Sequence, residues 1–230
     1  MNISIIGSGI FGLTVALILS KKFNVTVFES NSDILNGATL ANHNRHHYGF
    51  HYPRSPDTVI QCQMGKKTFE NFYPNVLRKN YENFYAISKN NSHMNFSDYC
   101  SFLDNLKLKY SVCRPPKLFN SDVIEGCVLA DEGVYDYQLL RSSIIEKLKR
   151  AVNPIKIRLN SLVNNVSVDG EKKNVEYTDH VNNNLCLKFD VVIDCSYGKT
   201  NFFNSWLNAD PRLLQYNLQE LAVIEIPETD

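Results

Sequence analysis

"ISIIGSGIFGLTVALILSKKFNVTVFES", residues 3 to 30, is the stretch whose reading decides the fold. Ile3, Ile5 and Ile6 form a short apolar run ending in glycine, as a strand buried on both faces of a parallel sheet would. Gly7-Ser8-Gly9-Ile10-Phe11-Gly12 comes next. Ile10 to Lys22 is good helix material, with Lys21 and Lys22 in the last turn, where they complement the negative end of the helix dipole. Asn24 to Phe28 then returns as a second strand, with Glu29 at its carboxyl end. Each piece has a physical task if a dinucleotide sits here: Gly7 permits the tight turn, Gly9 lets the backbone approach a pyrophosphate, and Gly12 lets the helix pack on the strands. Ser8, Ile10 and Phe11 belong to the same turn, whose N–H groups and partial positive charge suit phosphates. Glu29, 22 residues after Gly7 and followed by Ser30, stands where ribose hydroxyls would come, and it would repel a 2'-phosphate. A lone G-x-G-x-x-G can be an ordinary turn; the strand before it, the helix after it and the acid at the next strand's end argue for a dinucleotide, FAD or NAD.

The rest of the composition narrows the class. At 230 residues the chain can bury a sizeable core in one large or two small domains. Lys+Arg and Asp+Glu stand at 24 each, so no net field recruits nucleic acid or an anionic membrane. The six cysteines, at 62, 100, 113, 127, 186 and 195, show no C-x-x-C and read as buried thiols in a reducing, cytoplasmic setting. The apolar N-terminus is followed rather than preceded by positive charge, unlike a signal peptide, and no stretch approaches the roughly 20 apolar residues of a membrane span.

A nicotinamide dehydrogenase would continue as alternating strands and helices. This chain instead predicts a loop, a histidine-rich segment, and a helix with Ser55 as N-cap, Pro56 at N1 and Ile60, Met64, Phe69 and Tyr73 among its apolar positions. A strand at 84–88, a capped helix at 97–108 and a strand at 123–130 follow. The alternating pattern resumes near Asp136, which can cap a helix carrying Leu140, Ile144 and Leu148 on one stripe. Strands are expected at 155–159, 162–168 and 174–178, and "FDVVIDCSYGKT" (189–200) gives a last strand ending in Gly198.

With these elements in order, the chain resembles the FAD-dependent oxidoreductases of the D-amino-acid oxidase and glycine oxidase type. The resemblance implies a Rossmann-like, glutathione-reductase-type FAD-binding domain at 1–55 and 130–200, and a partial α+β substrate domain at 56–129 and 201–230. It implies that the loop "GATLAN" (37–42), with Thr39 and Asn42, folds over the pyrophosphate and flavin, that the backbone of Val163 meets the adenine, and that Gly198 lies close to the cofactor. The implied activity is oxidation of an amine, amino acid or hydroxy acid by hydride transfer to flavin, with a small-molecule substrate. Two alternatives stay open: a flavin-dependent, non-redox rearrangement of a sugar nucleotide, and a non-catalytic dinucleotide-binding fragment. Relatives are usually longer, and "LAVIEIPETD" ends like the middle of a strand, as in a truncated chain or a minimal relative.

"NHNRHHYGFHYPRS" (42–55) directly follows the "GATLAN" loop, so the resemblance makes Arg45, His46 and His47 flavin-proximal candidates. A cation there would stabilise negative charge on the reduced ring or orient a substrate carboxylate. His51, Tyr52 and Arg54 could line the path onward. The rival readings are zinc, nucleic acid and satisfied loop residues. His43, His47 and His51 recur at four-residue spacing, as on a metal-binding helix face, but Gly49 and Pro53 oppose a continuous helix and no Asp, Glu or Cys lies within the segment, so no metal is expected. Glu132 reads as part of the turn before the helix at 137.

Overall fold

The computed structural model describes residues 1–214; the partial substrate-domain strand expected at 221–230 lies outside them. Thirteen strands are present among the described residues: β1 (Asn2–Ile6), β2 (Asn24–Phe28), β3 (Arg45–His46), β4 (Leu77–Arg78), β5 (Asn83–Ser88), β6 (Tyr110–Cys113), β7 (Ile124–Ala130), β8 (Gly133–Tyr135), β9 (Lys156–Arg158), β10 (Leu162–Asp169), β11 (Lys172–Thr178), β12 (Asn184–Phe189) and β13 (Val191–Asp194). The helices are α1 (Ile10–Leu19), α2 (Pro56–Phe72), α3 (Phe96–Asn105), α4 (Tyr137–Lys149) and α5 (Thr200–Trp206). The chain divides into two compact units, one made of Met1–His43 with the chain from Ile144 onward, the other of Asn44–Ser143.

The first unit is built on a four-stranded sheet of order β13-β1-β2-β9, and β1 pairs parallel to both β13 and β2. Ile3, Ile5, Val25 and Val27 are buried in it with Ala16 of α1, and Ile157, Ile193 and Phe23 pack around them. Each fully buried aliphatic side chain of this kind contributes about 1.5–3 kcal/mol, which is why the apolar runs of β1 and β2 fix the centre of the sheet. Beside it lies the antiparallel sheet β10-β11-β12, whose Val163, Val166, Val175, Tyr177 and Phe189 enclose Phe28 and Ile6. The expected α/β class with a parallel sheet is borne out.

Several local expectations change. Helix α1 stops at Leu19, so Lys21 and Lys22 lie in the following turn rather than in its last turn. The Phe23 N–H donates to Leu19 O at 3.0 Å, turning the chain early enough for Phe23 to reach the core. The last strand ends at Asp194, and Gly198 sits in a 3-10 turn, Tyr197–Lys199. Strand β12 (Asn184–Phe189) begins within a segment whose Asn-rich composition reads as a loop, and it is paired into the sheet by β11.

The second unit carries the antiparallel sheet β5-β7-β6, with α3 against one face through Tyr99, Leu103, Val128 and Ala130. The short strands β3, β8 and β4 form a separate ladder, β8 in the middle. Helix α3 is capped by Asn95, whose Oδ1 accepts from Asp98 N at 2.7 Å. Helix α4 starts as expected, with Asp136 Oδ1 accepting from Leu139 N at 3.0 Å.

Helix α2 begins at Pro56 as read, and Phe69 and Tyr73 lie on its inward side as expected, but the first half of its apolar stripe differs. Ile60 and Met64 are exposed, whereas Val59 is buried and Cys62, Lys66, Phe69 and Tyr73 follow it on the inward side. The Lys66 ammonium lies 3.6 Å from the centre of the Tyr48 ring, so a charged residue occupies an inward position that periodicity alone reads as outward.

Candidate functional site

Parallel α/β sheets bind ligands beyond the carboxyl ends of their strands, where the connections diverge. In the first unit that edge gathers the ends of β1 at Gly7, β2 at Glu29 and β13 at Cys195. Gly7 has φ +101°, and a Cβ there would lie 2.6 Å from the Cys195 carbonyl oxygen, so both the turn and its neighbour require glycine. A Cβ on Gly12 would come within 2.0 Å of Gly7 O, which is how closely α1 closes on the strand it follows. A Cβ on Gly9 would meet only Thr39 Oγ1, at 3.5 Å, leaving its surroundings open by comparison.

Helix α1 opens at Gly9 without a side-chain cap from that residue, and the first turn of any α-helix has N–H groups with no intrahelical acceptor. One of these, on Ile10, donates to Thr39 Oγ1 at 3.1 Å. Phe11 beside it is largely exposed. The "GATLAN" loop is therefore pinned to the helix start. Asn42 Nδ2 donates to the Ala38 and Thr39 carbonyls at 2.9 and 2.7 Å and sets the loop's shape.

Glu29 is buried at the tip of β2. Its Oε2 accepts from Ser8 N at 2.9 Å and Ser8 Oγ at 2.7 Å. Oε1 accepts from Asn31 N and Nδ2 at 2.8 and 2.9 Å, with Ser30 Oγ at 3.4 Å. A carboxylate has about four lone-pair sites, so an incoming hydroxyl would replace the mobile donors, the Ser8 hydroxyl or the Asn31 amide. These groups suit an adenine dinucleotide: backbone donors and a helix N-terminus for phosphate, a carboxylate for ribose, and Gly9, whose open surroundings admit close approach to the backbone. Val163 is on β10, an edge strand, so half of its strand's backbone groups point away from β11, and the ladder shifts register between Val163 and Asn165. Beyond β13 the left-handed position is Tyr197, φ +59°, one residue before Gly198, with its side chain 81% exposed.

The histidine-rich segment belongs mostly to the second unit and is a two-residue strand followed by turns, not a helix. Alternation along β3 sends Arg45 and His47 one way and His46 the other. His46 is buried against Phe69, ring centres 4.8 Å apart, with Nε2 3.6 Å from Glu70 Oε1. Burial lowers its pKa, opposed in part by Glu70.

Arg45 and His47 instead converge on Glu132, which sequence reading leaves as a turn residue. The Glu132 side chain is 0% exposed, 3.6 Å from Arg45 Nη2 and 3.9 Å from His47 Nδ1, whose side chains are 22% and 24% exposed. Its Oε1 accepts from Tyr48 N at 2.7 Å and its Oε2 from Tyr85 Oη at 2.6 Å. Burial, then the adjacent Glu132 charge, pushes the Tyr85 phenol far above its ordinary range, so it remains a donor. Asn83 ties the group together: Nδ2 donates to Glu132 O at 2.6 Å, and Oδ1 accepts from Arg45 Nη2 at 3.2 Å. The Arg45 guanidinium lies over the Tyr85 ring at 4.6 Å. His47, His51 and Tyr52 form an aromatic nest, with His47 and His51 centres 5.8 Å apart. Among the described residues no group of three or more His, Cys, Asp or Glu is placed to hold a metal ion. No helix among them is long and apolar enough to cross a membrane.

Comparison with known proteins agrees with the resemblance read from the sequence. The family model described as DAO, FAD dependent oxidoreductase, matches residues 2–97. An FAD-dependent monooxygenase of Fusarium mangiferae is 26% identical over 201 residues, 86% of this chain and 50% of its own length. The dithionite-reduced L-alpha-glycerophosphate oxidase of Mycoplasma pneumoniae, with FAD bound, superposes with TM-score 0.75 at 17% identity over 91% of this chain and 57% of that one. Glycine oxidase from Geobacillus kaustophilus gives TM-score 0.65 at 12% identity, over 84% of this chain and 54% of that one. The fold is thus that of FAD-containing oxidases, and FAD is the cofactor of the family matched. The chain spans about half the length of the relatives it matches.

Proposed function

We propose that this chain is the FAD-holding part of an oxidoreductase that oxidises an amine, amino acid or hydroxy acid of small size, acting in the cytoplasm. The observation that carries the reading is the closed turn from Gly7 to Gly12 with the Glu29 carboxylate at the neighbouring strand end. In this reading Gly7, Ser8, Gly9, Ile10, Phe11 and Gly12 face the pyrophosphate, Glu29 and Ser30 the adenosine ribose, Thr39 and Asn42 hold the loop over it, and the Val163 backbone and the turn at Gly198 complete the cradle. Its domain bounds are 1–55 and 130–200, with the remainder supplying part of a substrate domain.

Bound FAD supplies a two-electron acceptor for hydride leaving the substrate carbon. The chain's own residues bind and orient. Arg45 keeps one guanidinium nitrogen on Asn83 and near Glu132 and has others available for a carboxylate or for an electron-rich ring edge. His47, partly exposed, offers an imidazole that can take a proton from an amine or hydroxyl. His46, turned into the packing of α2, supports the segment through Phe69 and Glu70.

The test is a visible spectrum of the protein with FAD, followed under anaerobic conditions as amines, amino acids and hydroxy acids are added. Bleaching of the flavin bands by one of these classes is expected. Flavin that stays oxidised with all of them, yet supports turnover of a sugar nucleotide after chemical reduction, would overturn the oxidase reading.

A further inference from the structure

Cys113 and Cys127 stand directly opposite each other across the antiparallel pair β6·β7. Directly opposed residues in such a ladder have Cα atoms about 4.5 or 5.5 Å apart, and either spacing falls inside the window of about 4.4–6.8 Å that a disulfide spans. Both side chains leave the same face of the sheet, since opposed residues share a face. Both cysteines are free thiols, Cys127 buried and Cys113 partly exposed on the edge strand β6. Burial, and then a side-chain hydrogen bond with Cys113, pushes the Cys127 thiol up to about 11, in keeping with the register that sets the two residues opposite each other. Neither thiol has a task in the flavin cradle or around Glu132.

We propose that Cys113 and Cys127 form a thiol–disulfide exchange site that takes small-molecule disulfides of the glutathione type and closes to a cross-strand disulfide. The Cys113 thiolate attacks one sulfur of the glutathione disulfide, and the first glutathione thiol leaves with its electron pair and takes up a proton. Cys127, having given up its proton, then attacks the Cys113 sulfur of the mixed disulfide and releases the second glutathione thiol. Two protein thiols are oxidised and one glutathione disulfide is reduced, so electrons and protons balance. Exposure assigns the order: the incoming disulfide reaches Cys113 at the sheet edge, while the shielded Cys127 resolves it. The product cross-links the ends of the excursion through Pro115, Pro116 and the 3-10 turn Ser121–Val123, which restricts the unfolded chain.

The experiment is a non-reducing digest and mass mapping of the whole chain after incubation with glutathione disulfide, beside a thermal melt of reduced and oxidised protein. A Cys113–Cys127 cross-linked peptide and an upward shift of several degrees in the melting midpoint are expected. Cys127→Ser should accumulate a stable glutathione adduct at Cys113, and Cys113→Ser should leave Cys127 unmodified. A disulfide mapped to a different pair, an unmodified Cys113–Cys127 pair in the treated wild type, or a Cys127→Ser protein without an adduct at Cys113 would each overturn the proposal.

Discussion

The edge around Gly7 and Glu29 and the hub around Glu132 both organise polar groups around a buried carboxylate, and they do it with opposite materials. At the first, donors are mainly backbone N–H groups and short side chains from residues 8 and 31, and the space is made by glycines. At the second, an aromatic hydroxyl, a guanidinium and an imidazole meet a carboxylate with no exposed surface, drawn together from positions 45, 47, 85 and 132. A site made of backbone tolerates exchange of most side chains but no added Cβ at its closest contacts. A site made of side chains around a buried charge is held only if every partner is kept.

The sharpest way to break that contrast is Glu132→Ala. It leaves the buried Tyr48 N–H and the half-buried Tyr85 hydroxyl without their acceptor and Arg45 without its counter-charge, and a loss of about 3 kcal/mol is expected in urea unfolding of the second unit. A loss below about 1 kcal/mol would show that the hub is not held by its charge. At the other site, Gly12→Ala must push the helix start off Gly7 O, at an expected cost of about 1–3 kcal/mol with loss of FAD uptake. Gly37→Ala, with nothing within 4 Å of the added methyl, is the control and should stay within about 0.5 kcal/mol.

Acid pH tests the burial of His46. Its folded pKa lies below the unfolded value of 6.5, so the unfolded chain binds the extra proton first. The stability it contributes is present above about pH 6.5 and lost as pH falls through the lowered folded value. Denaturation midpoints measured from neutral pH downward should fall less steeply in His46→Gln than in the wild type; parallel curves would assign the acid sensitivity elsewhere. A small effect of opposite sign is expected at the β13 turn, where Tyr197 holds φ +59° with an exposed ring. Tyr197→Gly should raise stability by about 1 kcal/mol, read as a higher thermal midpoint.

The contrast also explains what was legible in the sequence. Strand β2 falls on Asn24–Phe28 as read, and the turn at Gly7 is where its glycines place it, because these elements are set by neighbours in sequence. Glu132 was not legible: Asp131-Glu132-Gly133 has the composition of a turn, and nothing local marks partners 84 and 47 residues away at Tyr48 and Tyr85. The first half of α2's inward stripe differs from the reading at Ile60 and Met64 for a related reason, since Lys66 is drawn inward by the Tyr48 ring and only tertiary structure supplies that ring, while Phe69 and Tyr73 face inward as read. Grouping Arg45, His46 and His47 by adjacency likewise hid the alternation of β3, which sends His46 to Glu70 and its neighbours to Glu132.

The most direct measurement is a fluorescence titration of the 230-residue protein with FAD, run in parallel on the wild type, Gly12→Ala and Glu29→Ala. Saturable uptake by the wild type, weakened at least tenfold by either substitution, is the predicted result. Uptake that is absent from the wild type, or that survives both substitutions unchanged, would contradict a dinucleotide cradle at the ends of β1 and β2.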